Sequence, residues 1–210
     1  MRRRNFFRYL TLIALVVTSA VAADGSGPKV IPVDNGVNTI TLLGEPAMAV
    51  RAWRENYNAH GFDVVSFYVR DKAAGEKAFW NVVPVFGQVL KGDTAERLEI
   101  TVGGGADCVL HDFRLLRSGD DKHVMLVIAQ RDMGESFADA APVHFTWYDL
   151  VRNEDEAPGD PWLSFRQTRV TQAMKPYCDV EDALDKELHL GTTSGNGGPG
   201  DTEDDPPKAP

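Results

Sequence analysis

Cysteine is scarce in this chain: 210 residues carry two. Two cannot build a disulfide-rich miniprotein or a four-cysteine zinc site. Positive charge is also in short supply. Lys and Arg number 22 against 31 Asp and Glu, a net charge of −9. Nothing offsets repulsion from phosphate, which argues against a nucleic-acid binder. Past residue 23 no apolar run is long enough to span a membrane. The paired motifs of common hydrolases are missing. There is no G-x-S-x-G elbow, and His60, His111, His123, His144 and His189 show neither H-x-H nor H-x-x-x-H spacing. Gly103-Gly104-Gly105 leads into a strand pattern and lacks the Lys-Ser/Thr of a phosphate loop, so it reads as a turn. What remains is 43% hydrophobic, 25% charged and 9% aromatic, the make-up of an ordinary folded domain.

The N-terminus carries an address. Arg2, Arg3, Arg4 and Arg8 form a basic region, 10–17 is a short apolar run, and Ala20-Val21-Ala22-Ala23 offers small-residue cleavage sites. This layout predicts a secretory signal peptide over residues 1–23. Arg3-Arg4-Asn5-Phe6-Phe7-Arg8 also fits the twin-arginine export pattern, with a general secretory signal as the alternative. Either route predicts a periplasmic protein, with no membrane span once the leader is cut. With four leader arginines gone, 18 basic residues face 31 acids, a net charge of −13. A single domain is expected over 24–190. From Gly191 the chain turns acidic and Gly/Pro-rich, which predicts a disordered tail over 191–210: an interaction tail or a plain solvated terminus.

The domain reads as mostly β. Strand-like runs cover 37–43, 47–53, 62–70, 79–86, 97–102, 108–117, 123–130, 143–151 and 162–170, separated by turn signals such as Pro158-Gly159-Asp160-Pro161. Many short strands at this spacing predict a β-sandwich or barrel-like antiparallel sheets. The run 123–130 is apolar on both faces and should be a central strand. Leu98, Ile100 and Val102 alternate with polar residues, as on a strand with one wet face. One short C-terminal helix is expected, with Asp179 as N-cap, Val180, Ala183, Leu184 and Leu188 on one stripe, and Gly191 as its stop. In an oxidising compartment Cys108 and Cys178 should pair, tying the helix start to a central strand.

Three polar segments are candidates for ligand binding. In 54–63, Arg54 offers a fork donor, Glu55 and Asp63 carboxylates, Asn56 and Asn58 amides, and His60 a titratable ring. That mixture can hold a polar ligand bearing a carboxylate and carbonyls, or it can satisfy itself as a loop. Asp112 and Arg114 sit two apart in an apolar strand, and Arg131 and Glu135 lie in the segment 131–139 between two strands. These charges fit a buried ion-pair network as well as a pocket lining. The tryptophans Trp53, Trp80, Trp147 and Trp162 lie in strand runs, which favours core packing over a glycan-stacking face. No catalytic residue, metal site or cofactor is predicted.

Six segments in order carry a resemblance: NGVNTI (35–40), RENYNAHGFDVVSFYV (54–69), WNVVPVF (80–86), ADCVLHDFRLLR (106–117), QRDMGESFADAAPVHFTWYDL (130–150) and YCDVEDALDKEL (177–188). Together they resemble the carbapenem intrinsic-resistance proteins, the CarG-like family, over about residues 30–190. The resemblance implies a periplasmic protein that protects cell-wall synthesis from carbapenems and is no ordinary β-lactamase. The residues agree. Ser26-Gly27-Pro28-Lys29 has the letters of the serine-lactamase S-x-x-K pattern, but Gly and Pro break the helical turn that pattern needs, and neither K-T-G nor H-x-H-x-D occurs. The partner is then carbapenem itself or a cell-wall synthesis protein. Arg54, His60, Arg114 or Arg131 could meet the drug's carboxylate. Two alternatives stand beside this reading: an envelope interaction or glycan-binding module, and a slow hydrolase using Glu55, Asp63 or His60.

Overall fold

The computed structural model describes residues 27–191 except 59, 72–78, 89–93, 105–106, 120–121, 135 and 137. The expected signal peptide and the expected tail beyond Gly191 lie outside the described residues, as does Glu135.

The chain forms twelve strands and one helix: β1 (Lys29–Ile31), β2 (Gly36–Leu42), β3 (Glu45–Arg54), β4 (Phe62–Asp71), β5 (Phe79–Val82), β6 (Val85–Gln88), β7 (Thr94–Arg97), β8 (Ile100–Gly103), β9 (His111–Arg117), β10 (Val124–Arg131), β11 (Val143–Arg152), β12 (Leu163–Gln172) and α1 (Val180–Leu188). They make one open sheet in the order β2-β3-β4-β8-β9-β10-β11-β12-β6-β7, with β1 beside β9 and β5 beside β4. Every pairing is antiparallel except β6 with β12. The mostly-β, disulfide-tied fold with one short helix is as the sequence predicts.

The sheet curls because its inner face is apolar along nearly every strand. Ala49, Phe67, Ile100, Leu115, Leu126, Leu150 and Phe165, from seven different strands, share one core. Phe67 of β4 meets Phe113 of β9 and Phe165 of β12 edge-on, with ring centroids 6.2 and 5.4 Å away. β4 and β12 are far apart in strand order, so these contacts require the sheet to fold over itself. The segment 79–88 helps hold that shape. Its first half pairs with β4 and its second half with β12, because Pro84 cannot donate to a ladder and the strand breaks there. Val83 N–H donates to Phe67 O (2.8 Å), and Phe165 N–H to Pro84 O (2.9 Å). The single strand expected over 79–86 is therefore two.

A second core lies on the outer face. Val180, Ala183 and Leu184 of α1 cover Leu116, Val127, Ala129, Val143 and Phe145. β10 sits between β9 and β11 and is buried on both faces, as its unbroken apolar run requires. The disulfide joins Cys108 to Cys178 across a Cα–Cα distance of 5.4 Å. Cys108 lies in the turn before β9 rather than in a strand, so the bond ties the helix start to that turn. Asp179 is the N-cap residue, as expected, but its side chain makes no capping hydrogen bond. Its Oδ1 accepts the Val109 N–H (2.6 Å), a second tie between the same two segments. The helix stops at His189, in the left-handed region at φ 55°, with its N–H on Asp185 O and the Leu190 N–H on Leu184 O. Gly191, expected as the stop, follows two residues later at φ 69°.

Two other expectations change. The run 97–102 breaks at Leu98-Glu99. Leu98 is 54% exposed, while Ile100 and Val102 enter the core. No tryptophan is in the buried core. Trp53, Trp147 and Trp162 are half-buried and Trp80 is exposed. Trp162 packs against the inner core and Trp147 against the outer one, each at its margin.

Candidate functional site

Cross-strand register places the candidate residues. Arg54 pairs with Phe62, Phe62 with Gly103, Gly103 with His111, His111 with Gln130, and Gln130 with His144. This row runs along one end of the sheet. The described residues of 55–61 and 132–142 and the disulfide therefore gather at that end, where the three predicted polar segments meet.

The exposed part of this end is a loop that satisfies itself. Glu55 Oε1 accepts the backbone N–H of Asn56 (2.8 Å) and of Tyr57 (2.5 Å), and its Oε2 accepts Trp53 Nε1–H (3.1 Å). The Tyr57 N–H, then the indole, stabilise the charged form and hold the Glu55 carboxyl below its ordinary range. Asn56 Nδ2 donates to His60 O (2.7 Å), and Asn58 Oδ1 accepts the His60 N–H (2.9 Å). Tyr57 adopts φ 54° to make the turn. Gly61 leaves room for the Trp53 ring, since a Cβ there would lie 2.1 Å from Trp53 Cζ2. The Arg54 guanidinium lies 5.4 Å from the centroid of the Phe62 ring, and His60 is exposed. His144 pairs with Asp132 at 3.1 Å on the same end.

The remaining candidates are buried. Asp63 Oδ2 accepts Arg51 Nε–H (2.8 Å) and Nη2–H (2.5 Å), with the two side chains 6% and 2% exposed. Arg51 Nη1 also reaches Val33 O at 3.4 Å. Arg114 and Asp112 lie on the same face of β9 as Leu116, toward α1, and Arg131 lies on the same face of β10 as Ala129 and Val127. Arg114 Nη1 pairs with Asp112 Oδ2, while its Nε and Nη2 donate to Gly191 O (3.2 and 2.8 Å). That fork fastens the chain just past the helix to the sheet. Arg131 Nη1 donates to Asp139 O (2.5 Å) and lies 3.5 Å from Cys178 O. Each buried cation is thus spent on an acid or a carbonyl that fixes a neighbouring segment.

A cleft of about 870 Å³ opens at the opposite end of the sheet. Its walls are the ends of β4 and β5 (Asp71, Asn81, Val82) and the β11–β12 loop, with Asn153, Glu156, Ala157, Pro158, Gly159, Asp160, Pro161 and Trp162. Asn153 organises that loop. Its Nδ2 donates to Ala157 O (3.1 Å) and Asp160 O (3.2 Å), and its Oδ1 accepts the Ala157 N–H (2.9 Å). Arg152 stacks over Trp162 at 5.4 Å and pairs with Glu45 (3.3 Å). The charged residues among the described lining are all acidic.

A family model described as carbapenem resistance protein CarG-like matches residues 33–186. The chain belongs to the CarG-like family. A solved structure, the crystal structure of CarG, is similar with a TM-score of 0.58 and 22% identity, covering 75% of this chain and 94% of that one. At that identity the likeness shows the fold alone. No curated protein matches.

Within this CarG-like domain two features have little or no signal in the sequence. Arg51 is a lone charge in the apolar run 47–53, the same signal that singles out Asp112 and Arg114. The cleft has no local signal at all. Asp71 and Trp162 are 91 positions apart, and the Pro158-Gly159-Asp160-Pro161 stretch reads as a turn. Among the described residues no helix is long and apolar enough to cross a membrane.

Proposed function

We propose that this CarG-like protein acts in the periplasm, protecting cell-wall synthesis from carbapenems without hydrolysing them, by covering a target protein rather than sequestering the drug. The observation that carries the resistance reading is the family match over 33–186. Charge supports the choice of mechanism. A carbapenem carries a carboxylate, the large cleft is lined by Asp71, Glu156 and Asp160, and Arg51, Arg114 and Arg131 are engaged in buried contacts. The loop 55–61 carries the exposed polar groups that a protein partner can meet. A hydrolytic role would fall to Glu55, Asp63 or His60. Glu55 is already held by three donors and Asp63 by Arg51, which leaves neither carboxylate poised as a base.

The test is export of the protein in a carbapenem-sensitive host, with purified protein and target-bearing membranes alongside. A several-fold rise in minimum inhibitory concentration is expected. Carbapenem absorbance should persist in the presence of excess protein, free drug should be unchanged in equilibrium dialysis, and acylation of cell-wall synthesis enzymes by a fluorescent penicillin should slow. Loss of absorbance beyond one equivalent per protein would establish turnover instead. Stoichiometric drug depletion would establish sequestration. No rise with folded, exported protein would leave the family match as ancestry alone.

A further inference from the structure

We infer that the cleft between the β4–β5 end and the β11–β12 loop is a saccharide-binding site. The reading goes beyond resistance and does not depend on it. Saccharides present hydroxyl donors and acceptors around the ring edge and C–H groups on its faces. They are held by aromatic and apolar walls with carboxylate and amide groups around the rim. The cleft has both parts. Trp162 stands in the wall with Pro158 and Pro161, and the polar groups are Asp71, Asn81, Glu156 and Asp160. The volume of about 870 Å³ is in the range of small-molecule sites.

Three further observations select this ligand class. First, the three carboxylates do not gather as metal ligands do. Among the described residues, the one group of potential ligand atoms lying within 4.8 Å of one another is Cys108, Cys178 and Asp179, elsewhere in the fold and tied up in the disulfide. Acceptors spread around a cleft suit several hydroxyls better than one ion. Second, the half-buried Asn81 amide lines the cleft with no hydrogen bond to any described residue, leaving two donors and an acceptor for a ligand. Third, the loop is built before any ligand arrives. The Asn153 side chain closes it on Ala157 and Asp160, and Arg166 holds the Asp160 carboxylate at 2.9 Å, so little ordering is left for binding. The charged lining residues are acidic, although Arg166 pairs with Asp160 and Arg152 stacks on Trp162, so the cleft favours neutral or amine-bearing units over uronates and sugar phosphates.

The experiment is calorimetric titration of the purified full-length mature protein with four probes. These are the N-acetylglucosamine tetramer, the glucosamine tetramer, a maltotetraose control and spermidine. Saturable binding of at least one tetramer is expected, weakened about tenfold by Trp162→Ala. Because Trp162 also packs on the inner core, Asn81→Ala supplies an independent surface variant and should weaken binding several-fold. Trp147→Ala, on another face, should bind as the parent does. Preference between the first two tetramers then assigns a neutral or a cationic sugar. Spermidine binding without saccharide binding would make this a cation site and overturn the inference. So would silence from every tetramer, or binding indifferent to both cleft variants. The readout is direct binding, so its failure leaves the resistance assay untouched.

Discussion

The Arg51–Asp63 pair offers the sharpest test of how this fold is held. Its guanidinium and carboxylate are 2% and 6% exposed, and Asp63 Oδ2 takes both Arg51 bonds. Asp63→Asn leaves a cation without its counter-charge between β3 and β4. Breaking a buried pair from one side costs about 3–5 kcal/mol. With a urea m-value of about 2 kcal/mol per molar, the unfolding midpoint should fall by about 1.5–2.5 M. Arg51→Met alone should cost a similar amount by stranding the carboxylate. The double variant Arg51→Met, Asp63→Leu removes both charges and fills the space with apolar atoms. It should lie within about 1 kcal/mol of the parent, because the desolvation cost disappears with the attraction. The readout is a double-mutant cycle from urea melts followed by circular dichroism. A midpoint shift under about 0.5 M for Asp63→Asn, or a double variant as unstable as the two singles summed, would refute the reasoning. An Asp63→Asn protein that keeps its stability but loses protection in the host would assign Asp63 to ligand binding after all.

Three other outcomes follow from the geometry. Cys108→Ser, Cys178→Ser opens a link between positions 70 apart and should cost about 4 kcal/mol in the chain-entropy treatment. The melting temperature would then drop by about 8–16 °C, and a reductant should reproduce the drop in the parent and leave the variant unmoved. Gly61→Ala places a Cβ 2.1 Å from the Trp53 ring and should cost about 1–3 kcal/mol. Trp53→Ala in the same chain should remove most of that penalty, and simple additivity would show that the ring is not the obstacle. Burial lowers the His111 pKa, the Gly103 backbone contact opposing it only in part. The unfolded chain therefore takes up the proton first as pH falls. Stability should be full above about pH 6.5 and decline down to the folded-state value. Urea midpoints for His111→Gln at pH 7.5, 6 and 5 should show a flatter acid limb than the parent, and an equal slope would discard burial as the cause.

Much of the frame was legible because its signals are local. Alternation and β-branched runs mark the strands, the doubly apolar 123–130 marks the central one, and the stripe Val180, Ala183, Leu184, Leu188 marks the helix. The errors are also local in origin. Pro84 splits a run that reads as continuous, and Leu98 lies at a bend that lets it face solvent, which alternation does not register. His189 takes the left-handed stop that glycine usually supplies, and Leu190 after it packs into the outer core.

The roles of the charged candidates were decided by the tertiary structure. Arg54 and Arg114 are the same residue type in strand-like contexts. One is exposed at a sheet end, and the other lies under α1 holding Asp112 and the Gly191 carbonyl. Asp63 reads like its loop neighbours Glu55 and Asn58 and yet belongs to Arg51, twelve positions back. By itself, the sequence determined the strand periodicity, the helix stripe, the acidic balance and the family. Tertiary structure decided which charges are buried and that residues 71, 81 and 153–162 share one cleft. The physical reason is range. Periodicity depends on neighbours a few residues away, whereas burial and charge pairing depend on how a curled sheet brings distant strands together.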